Sequence, residues 1–148
     1  MLLFLFFLNG IIVHGQELGV APQFENCESL SPKMIKICFD EQLQRFVFDN
    51  FKMPDVVLQN NYKGIVNVLF EVDTLGVFKV QYVDAIYPEL TTESKRVFSM
   101  LPKIKPALQN GKPAFAKFNL KIAIPLKNPT AEIPSEYESK VDSIKANR

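Results

Sequence analysis

Tryptophan is absent from these 148 residues, and histidine occurs once, at position 14. A lone imidazole at the end of an N-terminal apolar run leaves little for a histidine general base, a Ser–His or Cys–His nucleophile pair, or a zinc site. Glycine is scarce as well: six in all, never clustered into a loop that could cradle phosphate. No serine stands in a nucleophile elbow. Asp40 and Glu41 are adjacent on a predicted helix and point apart, so they do not form a carboxylate pair. Neither sign of charge dominates, since 17 Lys and Arg against 16 Asp and Glu leave +1, which gives no electrostatic case for nucleic acid. The expectation is therefore a protein with no catalytic residue, no cofactor and no metal.

Basic residues are also missing ahead of the first apolar run. Met1 to Val13 is apolar except for Asn9 and Gly10. It falls short of the roughly 20 apolar residues a spanning helix needs. It fits the apolar region of a secretory signal, with Val13 and Gly15 as small residues before a cut at Gln16. The positive charge then comes from the amino terminus alone or from a start farther upstream; the alternative is a buried N-terminal helix. Cleavage near Gln16 predicts an exported, periplasmic protein. Only two cysteines occur, Cys27 and Cys38. In an oxidising compartment an isolated pair is expected to form a structural disulfide, because redox motifs use closer spacing and zinc needs more ligands.

What is abundant is core material: 47% hydrophobic residues, with 13 Phe. Residues 1–15 read as the signal, 16–30 as an extended lead-in containing Pro22, 31–126 as one domain, and 127–148 as a polar tail. Ser31-Pro32 opens a helix with a good N-cap followed by proline at the first helical position. Its buried stripe is expected at Ile35, Cys38, Leu43, Phe46 and Val47, and its end near Asn50, ahead of Pro54. Residues 55–63 are polar and Asn-rich and read as a connection.

From Ile65 to Asp73, Val66, Val68, Phe70 and Val72 alternate with Ile65, Asn67, Leu69 and Glu71, the period of a strand with one buried face. Asp73-Thr74-Leu75-Gly76 reads as a type I turn with a bulge, and Val77 to Ile86 as the returning strand. Pro88 stops that strand. A second helix opens at Leu90, capped by Thr91 or Thr92, with Leu90, Ser94, Val97, Phe98 and Leu101 on its inner side, and Pro102 closes it. Residues 103–113 hold two prolines and Asn110-Gly111, predicting a loop or a short arm with a tight turn. Lys103, Lys105, Lys112 and Lys117 make a modest basic patch, read as solvated.

Ala114 to Ile124 is the clearest strand. Ala116, Phe118, Leu120, Ile122 and Ile124 fall on one face, and Phe115, Lys117, Asn119, Lys121 and Ala123 on the other. In the tail, Ser135 and Glu138 suit a capping box for a short helix with Tyr137, Val141 and Ile144. The order α-β-β-α-β predicts an α+β two-layer sandwich: a three-stranded antiparallel sheet packed by two helices, strand order second, first, last. The last strand is then an edge.

These features together resemble the C-terminal domain of TonB, in the style of short exported TonB-like proteins of the Bacteroidetes lineage. The matching stretches are Pro54, Tyr62-Lys63-Gly64-Ile65-Val66, Val68-Leu69-Phe70-Glu71-Val72-Asp73 with Gly76, and Val80 with Val83. After them come Pro88-Glu89-Leu90, Pro102-Lys103-Ile104-Lys105-Pro106 and Gln109-Asn110-Gly111-Lys112-Pro113 leading into the final strand. The likeness covers Cys27 to Leu126. Where the family pattern often has Trp this chain has Ile104, and these residues hold neither the uncleaved membrane helix nor the Pro-rich spacer expected of a full TonB.

The resemblance implies a periplasmic interaction module, without enzymatic activity, whose final strand pairs with an extended peptide. That partner would be the TonB box of a TonB-dependent outer-membrane transporter, or a segment of another envelope protein, in energy-coupled transmembrane transport. The pairing edge is expected at Ala116, Lys117, Phe118, Asn119 and Leu120, continuing through Lys121, Ile122, Ala123 and Ile124. The alternative is a self-associating structural envelope domain, a homodimer through the same strand.

Overall fold

The computed structural model describes residues 19–129. The proposed leader, the signal cleavage point and the tail helix around Ser135 lie outside the described residues. The lead-in carries a 3-10 turn at Glu25–Cys27 and runs into helix α1, Pro32–Asn50. A short α2, Asp55–Gln59, precedes β1, Gly64–Val72, and β2, Phe78–Asp84. Helix α3, Pro88–Ser99, is followed by a small hairpin, β3, Ala107–Gln109, with β4, Lys112–Ala114, and then by β5, Ala116–Ile124. The result is a mixed α+β fold in which β2, β1 and β5 form one antiparallel sheet in that order, as the sequence pattern predicts.

The period-2 signal of β1 explains its place at the centre. Val66, Val68, Phe70 and Val72 are all buried, and they meet the helices through a layer of phenylalanines. The Phe70 ring lies 4.9 Å from Phe98 of α3 and 5.4 Å from Phe118 of β5, and Phe118 lies 4.8 Å from Phe39 of α1. Both helices thus cover the same face of the sheet. On the other face Ile65, Leu69 and Tyr82 remain exposed.

The turn between β1 and β2 forms as the residues predict. The Gly76 N–H donates to the Asp73 carbonyl at 2.9 Å, and Gly76 takes φ +81°. The Asp73 carboxylate accepts from the Leu75 and Val77 N–H groups at 2.9 and 3.0 Å and pairs with Lys79 Nζ at 2.9 Å. The Val77 hydrogen bond is the main reason that its pKa falls from the ordinary 3.8 to about 2, with Lys79 next.

Several boundaries differ from the expectations. Helix α3 begins at Pro88, not Leu90, with Tyr87 at the N-cap, so neither Thr91 nor Thr92 caps it. Thr92 instead donates its hydroxyl to the Pro88 carbonyl at 3.2 Å. Proline's fixed φ suits the first helical turn, and that preference outweighs the threonine signal. The connection over residues 55–63 contains α2, because the Pro54 carbonyl accepts the N–H groups of Val57 and Leu58 and Val57 is buried. In α1, Met34 and Phe39 join the buried stripe, while Phe46 is only half-buried. The last strand starts at Ala116, since Ala114 belongs to the arm, and the second ends at Asp84. The arm turns at Asn110 and Gly111, both at positive φ.

Cys27 and Cys38 are joined in a disulfide with both residues fully buried and Cα atoms 5.8 Å apart, tying the lead-in to the second turn of α1. The lead-in is itself paired: Val20 and Leu108 exchange backbone hydrogen bonds at 2.9 Å, and Gln23 and Lys105 at 3.0 Å. Lys105 of the expected solvated patch also pairs with Glu28 at 2.8 Å.

Candidate functional site

The nine residues singled out from Ala116 to Ile124 form one uninterrupted strand. Each has a partner in β1, from Ala116 opposite Val72 to Ile124 opposite Gly64. The other ladder, β1 with β2, is irregular between Leu69 and Phe70. An uninterrupted ladder leaves β5 regular along its outer side, where no further strand pairs with it among the described residues.

The direction of the free backbone groups is set by the turn. The Asp73 N–H donates to Val77, so Asp73 points its amide toward β2, and alternation points Val72, Phe70 and Val68 toward β5. Their register partners Ala116, Phe118 and Leu120 therefore bond β1. Lys117, Asn119, Lys121 and Ala123 turn their N–H and C=O groups to the open edge. Their side chains lie on the open face of the sheet, where Lys117, Asn119 and Lys121 are exposed. Lysines there are a common guard against unwanted pairing of an edge.

On the helical side, the expected apolar face is present but unevenly covered. Ile122 and Ile124 are buried, whereas Phe118 and Leu120 are half-buried. A trough runs beside them between α1 and β5. One hollow of about 390 Å³ lies by Phe39, Leu43, Phe118 and Leu120, and a second of about 310 Å³ by Val47, Phe48 and Ile122. Gln44, Leu120 and Lys121 line both, so the two hollows are neighbours along β5. The trough was not legible beforehand, because it depends on how far α1 sits from the strand.

A second feature has no clear signal in the sequence. Glu93 accepts two hydrogen bonds from Arg96, at 2.8 and 2.6 Å, and one from the Lys52 N–H at 2.6 Å. Arg96 also donates to the Asn50 carbonyl at 2.7 Å. The Arg96 hydrogen bonds lower the Glu93 pKa. This clasp fixes α3 to the end of α1, a structural role; the spacing of Glu93 and Arg96 hints at their pairing but not at its reach across 46 residues.

Cys27 and Cys38 lie in the core and have no free thiol. No cluster of three or more His, Cys, Asp or Glu side chains suited to a metal ion occurs among the described residues. Nor is any described helix long and apolar enough to cross a membrane. No protein-family model, no curated protein and no solved structure matches this chain. The class defined by its architecture is a mixed α+β domain, disulfide-bonded, with a three-stranded antiparallel sheet whose last strand is an open edge among the described residues.

Proposed function

We propose that this domain is a TonB-like protein-interaction module of the periplasm that adds an extended peptide to the free edge of β5. The peptide belongs to an outer-membrane transporter or another envelope protein, in keeping with the sequence resemblance and the apolar leader. The observation that carries this reading is the open edge itself: a regular nine-residue strand with four residues directing backbone groups outward. In β-augmentation those groups supply affinity, and alternate side chains of the added peptide supply specificity. The peptide's inward side chains would enter the trough beside Phe118 and Leu120, and its outward ones would meet Lys117 and Lys121.

A peptide titration of two folded variants tests this. Asn119→Pro deletes an N–H that points to the edge, leaving the ladder to β1 intact, and is expected to weaken binding about tenfold. Lys117→Ala removes an exposed, screened charge and should change affinity by less than about threefold. Equal binding by the proline variant and the parent would exclude this edge as the site. A parent that binds no peptide but dimerises through β5 would favour the self-associating alternative.

A further inference from the structure

Helix α2 buries one aliphatic side chain and leaves its neighbour in water. Val57 is 2% exposed and belongs to the core, whereas Leu58 is 58% exposed, so core packing does not account for Leu58. Leu58 lines a third hollow, of about 370 Å³, where β5 ends. Met53, Val57, Tyr62, Ile124 and Leu126 complete its apolar wall. That wall is formed in advance. The Asn61 and Tyr62 N–H groups donate to the Leu58 and Val57 carbonyls at 3.0 and 3.1 Å, which fixes the turn after α2. The Tyr62 ring meets Tyr87 edge-on at 5.2 Å, and its hydroxyl end lies over Gly64, where any side chain would collide with it.

The polar part of the lining is small and of one kind. Lys63 is its one charged side chain, exposed and without an acidic partner among the described residues, and Asn61 adds an amide. An apolar hollow with one ammonium and one amide complements a molecule with a long apolar body and a single anionic end. At about 30 Å³ for each water-sized group, 370 Å³ holds about a dozen methylenes. One leucine or phenylalanine side chain of a protein partner brings fewer carbons than that, whereas an acyl chain fills the space.

We propose that this hollow binds a carboxylate-headed acyl chain of about ten carbons, with its tail against Val57, Leu58, Ile124 and Leu126 and its carboxylate on Lys63 and Asn61. The site stands on the hollow alone and does not depend on the peptide pairing proposed above. Its affinity comes from the tail, since each buried methylene adds to binding, and its preference for an anion comes from Lys63.

Methyl NMR spectra of the full chain, titrated with decanoate below the concentration at which it forms micelles, test the inference. Shifts are expected at the methyl groups of Met53, Val57, Leu58, Ile124 and Leu126, and decyltrimethylammonium should bind about fivefold more weakly or worse. Lys63→Gln should weaken decanoate about fivefold while leaving decanol within about twofold, which separates the charge from the fold. Leu58→Ser should weaken decanoate and decanol alike, about fivefold. Both side chains are exposed, and circular dichroism melting curves verify that the variants are folded. Absent or scattered shifts, or equal binding of decanoate and decyltrimethylammonium by the parent, would overturn the proposal. So would contacts in the ligand-free parent between the Leu58 methyls and residues outside 19–129, which would show that the chain fills the hollow itself, or a dimer dissociated by Leu58→Ser, which would give the hollow to a second copy.

Discussion

Ile104 donates its backbone N–H to the Gly76 carbonyl at 3.0 Å, and its own carbonyl oxygen lies where a side chain on Gly76 would begin. The turn of the β1–β2 hairpin is thereby locked to the segment that leaves α3, with Ile104 itself buried. A methyl group at residue 76 meets both a left-handed backbone, φ +81°, and a fixed backbone atom. Gly76→Ala is expected to cost about 2 kcal/mol or more. Urea unfolding measures it, and an unchanged midpoint would show that the turn and the Ile104 segment are not locked together.

The disulfide should act on stability and not on recognition. Bonding residues that are 11 apart in sequence removes unfolded-state freedom amounting to about 3 kcal/mol in the chain-entropy model. Cys27→Ser/Cys38→Ser is expected to lower the melting temperature while leaving peptide affinity within about twofold. Loss of binding by a folded double variant would require a direct role for the pair.

Acid should destabilise the hairpin through Asp73. Its folded pKa of about 2 lies below the ordinary 3.8, so its contribution is fully present above about pH 4 and is lost as pH falls toward 2. Glu93, also lowered, adds to the slope in the same direction. Denaturation midpoints followed from pH 5 to pH 2 should fall less steeply in Asp73→Asn than in the parent. Parallel curves would show that the Val77 and Lys79 interactions do not distinguish the folded from the unfolded carboxylate.

Phe39 joins the lead-in, α1 and the edge strand. Its ring lies 4.8 Å from Phe118, 5.8 Å from Phe24 and 6.4 Å from Phe78, and it is fully buried. Phe39→Ala should cost about 3–5 kcal/mol. Because the ring also bounds the trough, hydrogen exchange at Phe118 and Leu120 should rise before that of β1 does. A uniform rise across the sheet would mean that the ring supports the whole core and not the edge in particular.

The amino-acid sequence by itself determined the elements whose signals lie within a few residues. Alternation fixed β1 and β5, Ser31-Pro32 opened α1, and Asp73 with Gly76 made the turn, because each depends on local backbone preference or on the face that successive side chains share. The strand order followed from these elements and the rules of short connections. Where two local signals competed, as at Pro88 and Thr92, the sequence did not say which would win. Tertiary structure alone decided the rest. The backbone pairing of Val20 with Leu108, the reach of Arg96 to Asn50 and the lock of Ile104 on Gly76 join residues distant in the chain. The trough beside β5 is set by the distance at which Phe39 rests against Phe118. Such contacts carry no periodicity, since they arise only when packed layers fix which surfaces meet.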